Sequence, residues 1–229
     1  MKTKMKTNHS LCGLISGLIL LAAGAAQTHA GLIYPAVPGA QLYAGNNGTN
    51  TIEKFNPGGV GSVFASSGVN GPTGVAFDSA GNLYLANANT NTIEKFTPGG
   101  VGSVFASTGL STPIGLAFDS AGNLYAANAG TDTIEKFTPG GIGSVFASGH
   151  LSQPHGLAFD SAGNLYVGNP GTNQIEEFTP GGVGSVFAST GLSGPQYLAF
   201  GPVPEPGTAL FGIACVGIAA LRRRRAAAV

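Results

Sequence analysis

Four short apolar runs recur in a fixed order along the chain, each interrupted by Gly, Pro or Asx residues. Their clearest example lies between residues 74 and 106. Gly74-Val75-Ala76-Phe77 (run a) is apolar on both faces, as expected of a strand buried on both sides. Asn82 to Ala86 (b), Thr92 to Phe96 (c) and Ser103 to Ala106 (d) follow, rich in β-branched and aromatic residues. Asp78-Ser79-Ala80-Gly81-Asn82 joins a to b, and Pro98-Gly99-Gly100 joins c to d; both carry tight-turn chemistry. Run c reads Thr-Ile-Glu-Lys-Phe, and its charges predict a place in the outer part of a sheet.

This unit is repeated. Leu-Tyr stands at Leu42-Tyr43, Leu83-Tyr84, Leu124-Tyr125 and Leu165-Tyr166, a constant spacing of 41 residues. Segments 83–123 and 124–164 differ at only eight positions, so one structural unit is written repeatedly. A period near 40 with four strands per unit indicates propeller blades. Paired helices are excluded, because Gly and Pro interrupt every window long enough to hold them. Twelve of the 13 Phe fall at three repeated positions, those of Phe77, Phe96 and Phe105, which marks them as repeated packing.

The phase of the repeat predicts how the ends meet. The body begins on a b strand at Leu42 and ends on an a-like run, Tyr197-Leu198-Ala199-Phe200. The expected fold is therefore all-β: a four-bladed β-propeller of 41-residue repeats whose last blade is closed by the N- and C-terminal strands. The alternative is an open arc that dimerises into a larger ring.

Composition agrees. There are 38 Gly and 14 Pro in 229 residues, which suits many short strands joined by turns. Hydrophobic content of 43% excludes a disordered polymer, and there is no Gly-X-Y period for collagen.

The two ends read as addresses. Residues 1–30 carry Lys2, Lys4 and Lys6, an apolar stretch from Leu11 to Ala25, and a small-residue cleavage site at Thr28-His29-Ala30. This is the pattern of a secretory signal peptide, the alternative being a retained membrane anchor. Residues 203–229 carry Pro204-Glu205-Pro206, then an apolar helix expected over 209–221, then Arg222, Arg223, Arg224 and Arg225. Thirteen helical residues reach roughly 20 Å, short of a hydrocarbon core of roughly 30 Å. The arginines favour the cytoplasmic side. This order of Pro-Glu-Pro, apolar segment and Arg cluster resembles the PEP-CTERM sorting signal of Gram-negative bacteria. The resemblance implies export, transient membrane anchoring through the C-terminal segment, processing by an exosortase-type enzyme, and a final place at the cell surface or in an extracellular polysaccharide matrix.

Between the addresses, residues 31–202 form the body, with repeats starting at 42, 83, 124 and 165. It holds Lys54, Lys95 and Lys136 against nine acids, a formal charge of −6. An acidic body excludes nucleic acid as a partner, since that requires clustered Lys and Arg. Cys12 and Cys215 both lie in the address segments, so the body has no thiol chemistry.

Within the body, Pro-x-Gly-[Val/Leu]-Ala-Phe-Asp-x-x-Gly-Asn-Leu-Tyr followed by Ile-x-x-Phe resembles the NHL repeat and related six-bladed propellers over roughly 40–200. The chain departs from that pattern in having four units. It also carries Asn46, Asn87, Asn128 and Asn169 where Asp is usual. The related propellers include metal-dependent lactonases and lyases with acidic and amide ligands at the channel mouth.

Strand parity places the a–b and c–d turns on one face and the b–c loops and d–a connectors on the other. Six of the eight differences between the two central units fall on the second face, which is therefore the candidate binding face. Its channel mouth is expected to hold Thr73, Ile114, His155 and Gln196, each directly after a Pro, with Tyr197 beside them. His155 is the one titratable member of the four, and His150, five residues away, could approach it. That is a poor metal site, and no cofactor is expected. Asp78, Asp119 and Asp160 lie at the other end of run a, where capping of their own turns accounts for them. No catalytic triad order, phosphate loop or His-Glu-x-x-His occurs. These features point to a noncatalytic binding or structural module with a polysaccharide or surface protein as partner, the alternative being a metal-dependent lactonase- or lyase-like enzyme.

Overall fold

The structure is a computed structural model that describes residues 41–201. The expected leader over 1–30 and sorting signal over 203–229 lie outside the described residues. The chain divides after Leu198. The first unit holds every strand, and the described residues of the second, 199–201, hold none.

The repeated runs fold into antiparallel sheets in chain order. The first sheet has β1 (Leu42–Asn46), β2 (Thr51–Phe55) and β3 (Gly61–Ala65). The second has β4 (Pro72–Phe77), β5 (Leu83–Asn87), β6 (Thr92–Phe96) and β7 (Gly102–Ala106). The third has β8 (Pro113–Phe118), β9 (Leu124–Asn128), β10 (Thr133–Phe137) and β11 (Gly143–Ala147). The fourth has β12 (Leu157–Phe159), β13 (Leu165–Asn169), β14 (Gln174–Phe178) and β15 (Gly184–Ala188). Within each four-stranded sheet the order is a-b-c-d, so every connection is a hairpin.

Three strands fewer than sixteen would have broken the pattern; one is missing. The fastening strand expected over 197–200 is not formed, and β1 pairs with β2 alone among the described strands. The physical consequence is plain at Leu42. It is 51% exposed, whereas Leu83, Leu124 and Leu165 at the same repeat position are 0% exposed beneath their a strands.

Sheets pack face to face through side chains from both. β5 and β9 are buried at every position, because neighbouring sheets cover both of their faces. Each apolar core lies between consecutive sheets; one joins Tyr84, Ala86 and Ile93 to Leu116, Leu124 and Phe137. A repeated aromatic contact locks the spacing. Tyr84 meets Phe105 of its own sheet edge-on at 4.9 Å and Phe118 of the next sheet at 5.0 Å. Tyr43 and Tyr125 repeat the arrangement. Such edge-to-face pairs contribute about 0.5–1.5 kcal/mol beyond the area they bury.

The innermost strands run side by side because glycine permits it. A Cβ on Gly74 would collide with the carbonyl oxygen of Ile114, and one on Gly115 with that of His155. The backbones therefore touch where the axial ends of successive sheets converge. The outermost strands β3, β7 and β11 instead expose their Gly-Ser-Val ends to solvent. A register shift between the c and d strands occurs in every sheet, at Ile93/Glu94 in the second. Such bulges twist an edge strand away from further pairing.

Candidate functional site

The face assignment made from strand parity is realised. On the first face, Gly81 in an a–b turn lies against Pro98 in a c–d turn, and Gly122 and Gly163 lie likewise against Pro139 and Pro180. On the second face, b–c loops reach the d–a connectors. Asn50 Oδ1 accepts the N–H of Gly71 at 2.8 Å, Asn91 that of Thr112 at 2.6 Å, Asp132 that of Gln153 at 2.6 Å, and Asn173 that of Gly194 at 2.7 Å. All four acceptors adopt left-handed φ of 52–56°. Asn and Asp tolerate that region best among residues with a side chain, which explains why only these two types stand there.

A second repeated device anchors the connectors beneath. Asn87 Nδ2 donates to Gly68 O at 2.7 Å while its Oδ1 accepts the N–H of Asn70 at 3.0 Å. Asn128 and Asn169 do the same with Gly109 and Ser111, and with His150 and Ser152. All three are essentially buried. Holding one donor and one acceptor at once requires an amide, and a carboxylate lacks the donor. The Asn noted in the sequence as a departure from the related repeats therefore has a structural role.

The axial row forms as expected in its described part. Thr73 Oγ1 donates to Pro113 O at 2.8 Å, reaching into the next sheet. The carbonyls of Ile114 and His155 lie against Gly74 and Gly115, and Gln196 O accepts the N–H of Gly156 at 2.7 Å. Thr73, Ile114, His155 and Gln196 thus occupy successive steps of one backbone-to-backbone row. His155 is half-buried, and burial lowers the pKa of its imidazole below the ordinary value. Gln196 and Tyr197 are exposed, the latter at 66%.

His150 departs from expectation. Its side chain is exposed, its φ is 64°, and the charge it feels is that of Glu176, not an interaction with His155. It occupies the position of Gly68 and Gly109, which lie directly against the carboxylates of Glu94 and Glu135. These glutamates were the least legible residues of the repeat. Run c was read as outward-facing, yet Glu94, Glu135 and Glu176 are 6%, 4% and 1% exposed. They fill the space under the connectors between sheets. Burial raises the pKa of all three, with His150 acting in the opposite sense on Glu176. Oε2 of Glu176 is buried without a hydrogen-bond partner.

On the opposite face the aspartates cap their own turns. Asp78 Oδ1 accepts the N–H groups of Ala80 and Asn82 at 2.9 Å, and Oδ2 accepts Asn82 Nδ2 at 2.7 Å. Burial opposes the ionisation of Asp78, but these hydrogen bonds together with Lys95 outweigh it and hold the carboxyl below its usual value. Lys95 Nζ lies 3.7 Å from Asp78 Oδ2 and 5.2 Å from the Tyr84 ring, and Lys136 repeats this with Asp119 and Tyr125. The fourth sheet has Glu177 in place of the lysine. Tyr166 OH there donates to Glu177 Oε1 at 3.0 Å and lies 3.5 Å from Asp160 Oδ2. Burial and these carboxylates push Tyr166 up to about 12.

Among the described residues, no group of three or more His, Cys, Asp or Glu side chains converges to hold a metal ion. No helix among them is long and apolar enough to cross a membrane.

No protein-family model matches the sequence, and the search of characterised proteins returned no match. Solved structures match in fold. A chain of a nidogen/laminin complex is 23% identical at a TM-score of 0.63, over 70% of this chain and 65% of that one. Virginiamycin B lyase from Staphylococcus aureus is 18% identical at 0.60, over 69% and 55%. A gluconolactonase-like protein is 20% identical at 0.59, over 70% and 63%. The chain therefore spans less than two thirds of these neighbours' own lengths. Together with the four repeated sheets, they show a fold of the β-propeller type, shared by binding proteins and enzymes.

Proposed function

We propose that the chain is an exported, noncatalytic β-propeller module of four blades, sorted by its C-terminal signal and acting at the cell surface or in the extracellular matrix. Residues Pro204, Glu205 and Pro206 would be read by an exosortase-type enzyme, with Arg222, Arg223, Arg224 and Arg225 retaining the segment in the membrane until processing. The second face, with Thr73, Ile114, His155, Gln196, Tyr197 and His150, would meet a polysaccharide or a surface protein.

One observation carries the noncatalytic reading. The acidic and amide side chains of both faces are engaged in holding the chain itself: Asp78, Asp119 and Asp160 cap turns, Asn87, Asn128 and Asn169 clasp connectors, and Asn50, Asn91, Asp132 and Asn173 cap them. What varies between units on the second face is the exposed residue set resting on that frame, as in a recognition surface.

Glycan-array binding by the full chain, beside a Tyr197→Ala variant, tests this reading. Binding that falls in the variant supports a sugar-binding face. A structural role is supported by no binding together with retention in the matrix fraction. Half-buried His155 in the axial row, in a fold that includes a lyase, favours the alternative of a metal-dependent enzyme. Lactonase or lyase turnover with added divalent metal, lost in His155→Ala, would establish that alternative and overturn the noncatalytic reading.

A further inference from the structure

We infer that the three-stranded first sheet is completed by a second copy of this chain, whose Leu198-Ala199-Phe200 adds to β1 as the missing inner strand. The pairing already exists elsewhere in the molecule. In the third sheet, Leu116-Ala117-Phe118 lies on Leu124-Tyr125-Ala126 in the register Leu116↔Ala126, Ala117↔Tyr125, Phe118↔Leu124. β1 opens with the same Leu42-Tyr43-Ala44, and the run at 198–200 has the same Leu-Ala-Phe. The register of the new pair is thereby fixed as Leu198↔Ala44, Ala199↔Tyr43 and Phe200↔Leu42.

The receiving edge is built to accept a strand. Leu42 is half exposed where its three counterparts are fully covered, so addition of an a strand would bury it. Full burial of such a side chain stabilises by about 1.5–3 kcal/mol. β1 holds neither charge nor Pro, and its pairing with β2 is regular, so the devices that normally blunt an edge are missing. The outer edges, in contrast, are twisted by a bulge in every sheet.

The superpositions favour pairing between copies over closure within one. The described sheets overlay only 65% of the nidogen chain and 63% of the gluconolactonase-like chain, leaving a gap in the ring between β1 and the run at 198–200. A strand donated head to tail is a heterologous contact, which builds rings if the rotation closes and filaments if it does not. This inference stands independently of what the second face binds.

The experiment uses full-length chains in which Cys12 and Cys215 are replaced by Ser. One carries Leu42→Cys and the other Phe200→Cys. Opposed residues in an antiparallel pair lie about 4.5–5.5 Å apart at Cα, within disulfide reach. Mixed under mild oxidation, the two chains are expected to form a covalent heterodimer. Adding Leu198→Pro, outside every strand of the folded chain, removes a ladder N–H and should abolish the crosslink. No heterodimer, or one indifferent to Leu198→Pro, would overturn the inference. So would an internal disulfide in a doubly substituted Leu42→Cys/Phe200→Cys chain at high dilution, which would show closure within one copy.

Discussion

Asn128 Nδ2 donates to the carbonyl oxygen of Gly109 at 2.8 Å, tying the third sheet to the connector that enters it. The same amide accepts the N–H of Ser111 at 3.2 Å, and the residue is 1% exposed. Asn128→Asp keeps the acceptor, removes the donor and sets a carboxylate against a carbonyl. Leaving a buried partner unsatisfied costs about 1–3 kcal/mol, more where a charge is involved. Urea unfolding should therefore show a lowered midpoint for Asn128→Asp at neutral pH, with far-UV circular dichroism of the folded state preserved.

Contact between inner strands is equally specific. Gly115→Ala would push a methyl group into the carbonyl of His155, an immovable backbone atom, whereas Gly149 has nothing within 4 Å of its Cβ direction. Overpacking typically costs about 1–3 kcal/mol. Thermal melts should show Gly115→Ala clearly destabilised and Gly149→Ala near wild type. Equal stability of the two would mean that the inner strands do not lie in contact.

The fourth sheet offers a charge test. Glu177→Lys restores the residue that pairs with the turn aspartate in the second and third sheets, where the separation is 3.7 Å. It also removes one of the carboxylates that, with burial, push Tyr166 up to about 12. An alkaline absorbance titration should show one tyrosine moving to lower pH in the variant. The stability gain should be small, because partly exposed ion pairs contribute about 0–1 kcal/mol.

Glu176 gives a pH dependence whose sign is fixed by its burial. Desolvation raises its folded-state pKa above the ordinary 4.5, His150 opposing, and its Oε2 has no hydrogen-bond partner. The ionised form is therefore penalised in the folded chain. That penalty is full above the raised value and disappears as pH falls through it to below 4.5. Glu176→Gln should melt higher than wild type at neutral pH, with the difference shrinking as the solution is acidified through that window.

Much of this was legible in the sequence because the repeat supplies its own controls. Run c was placed at Thr92–Phe96 and is formed over those residues, while runs a, b and d differ from the strands only by one or two terminal positions. The allocation of loops to faces followed from strand parity alone. The buried glutamates did not, because a Thr-Ile-Glu-Lys-Phe run alternates identically whether its Glu faces water or an adjoining sheet. What buries Glu94 is Gly68 in the preceding connector, 26 residues away, a contact that no local pattern records. The clasping role of Asn87 was hidden for the same reason, since its partners Gly68 and Asn70 belong to the connector before its sheet. The expected strand over 197–200 failed because an a-like sequence becomes a strand only where a b strand is positioned to receive it.

The central claim is that successive sheets converge so that their inner strands, and with them Thr73, Ile114, His155 and Gln196, form one row. A crystal structure of the chain tests it most directly. The account predicts Gly74 and Gly115 seated against the carbonyls of Ile114 and His155, with Gly156 N bonded to Gln196 O near 2.7 Å. Inner strands separated by side chains or solvent, with the four units extended in a line, would contradict it.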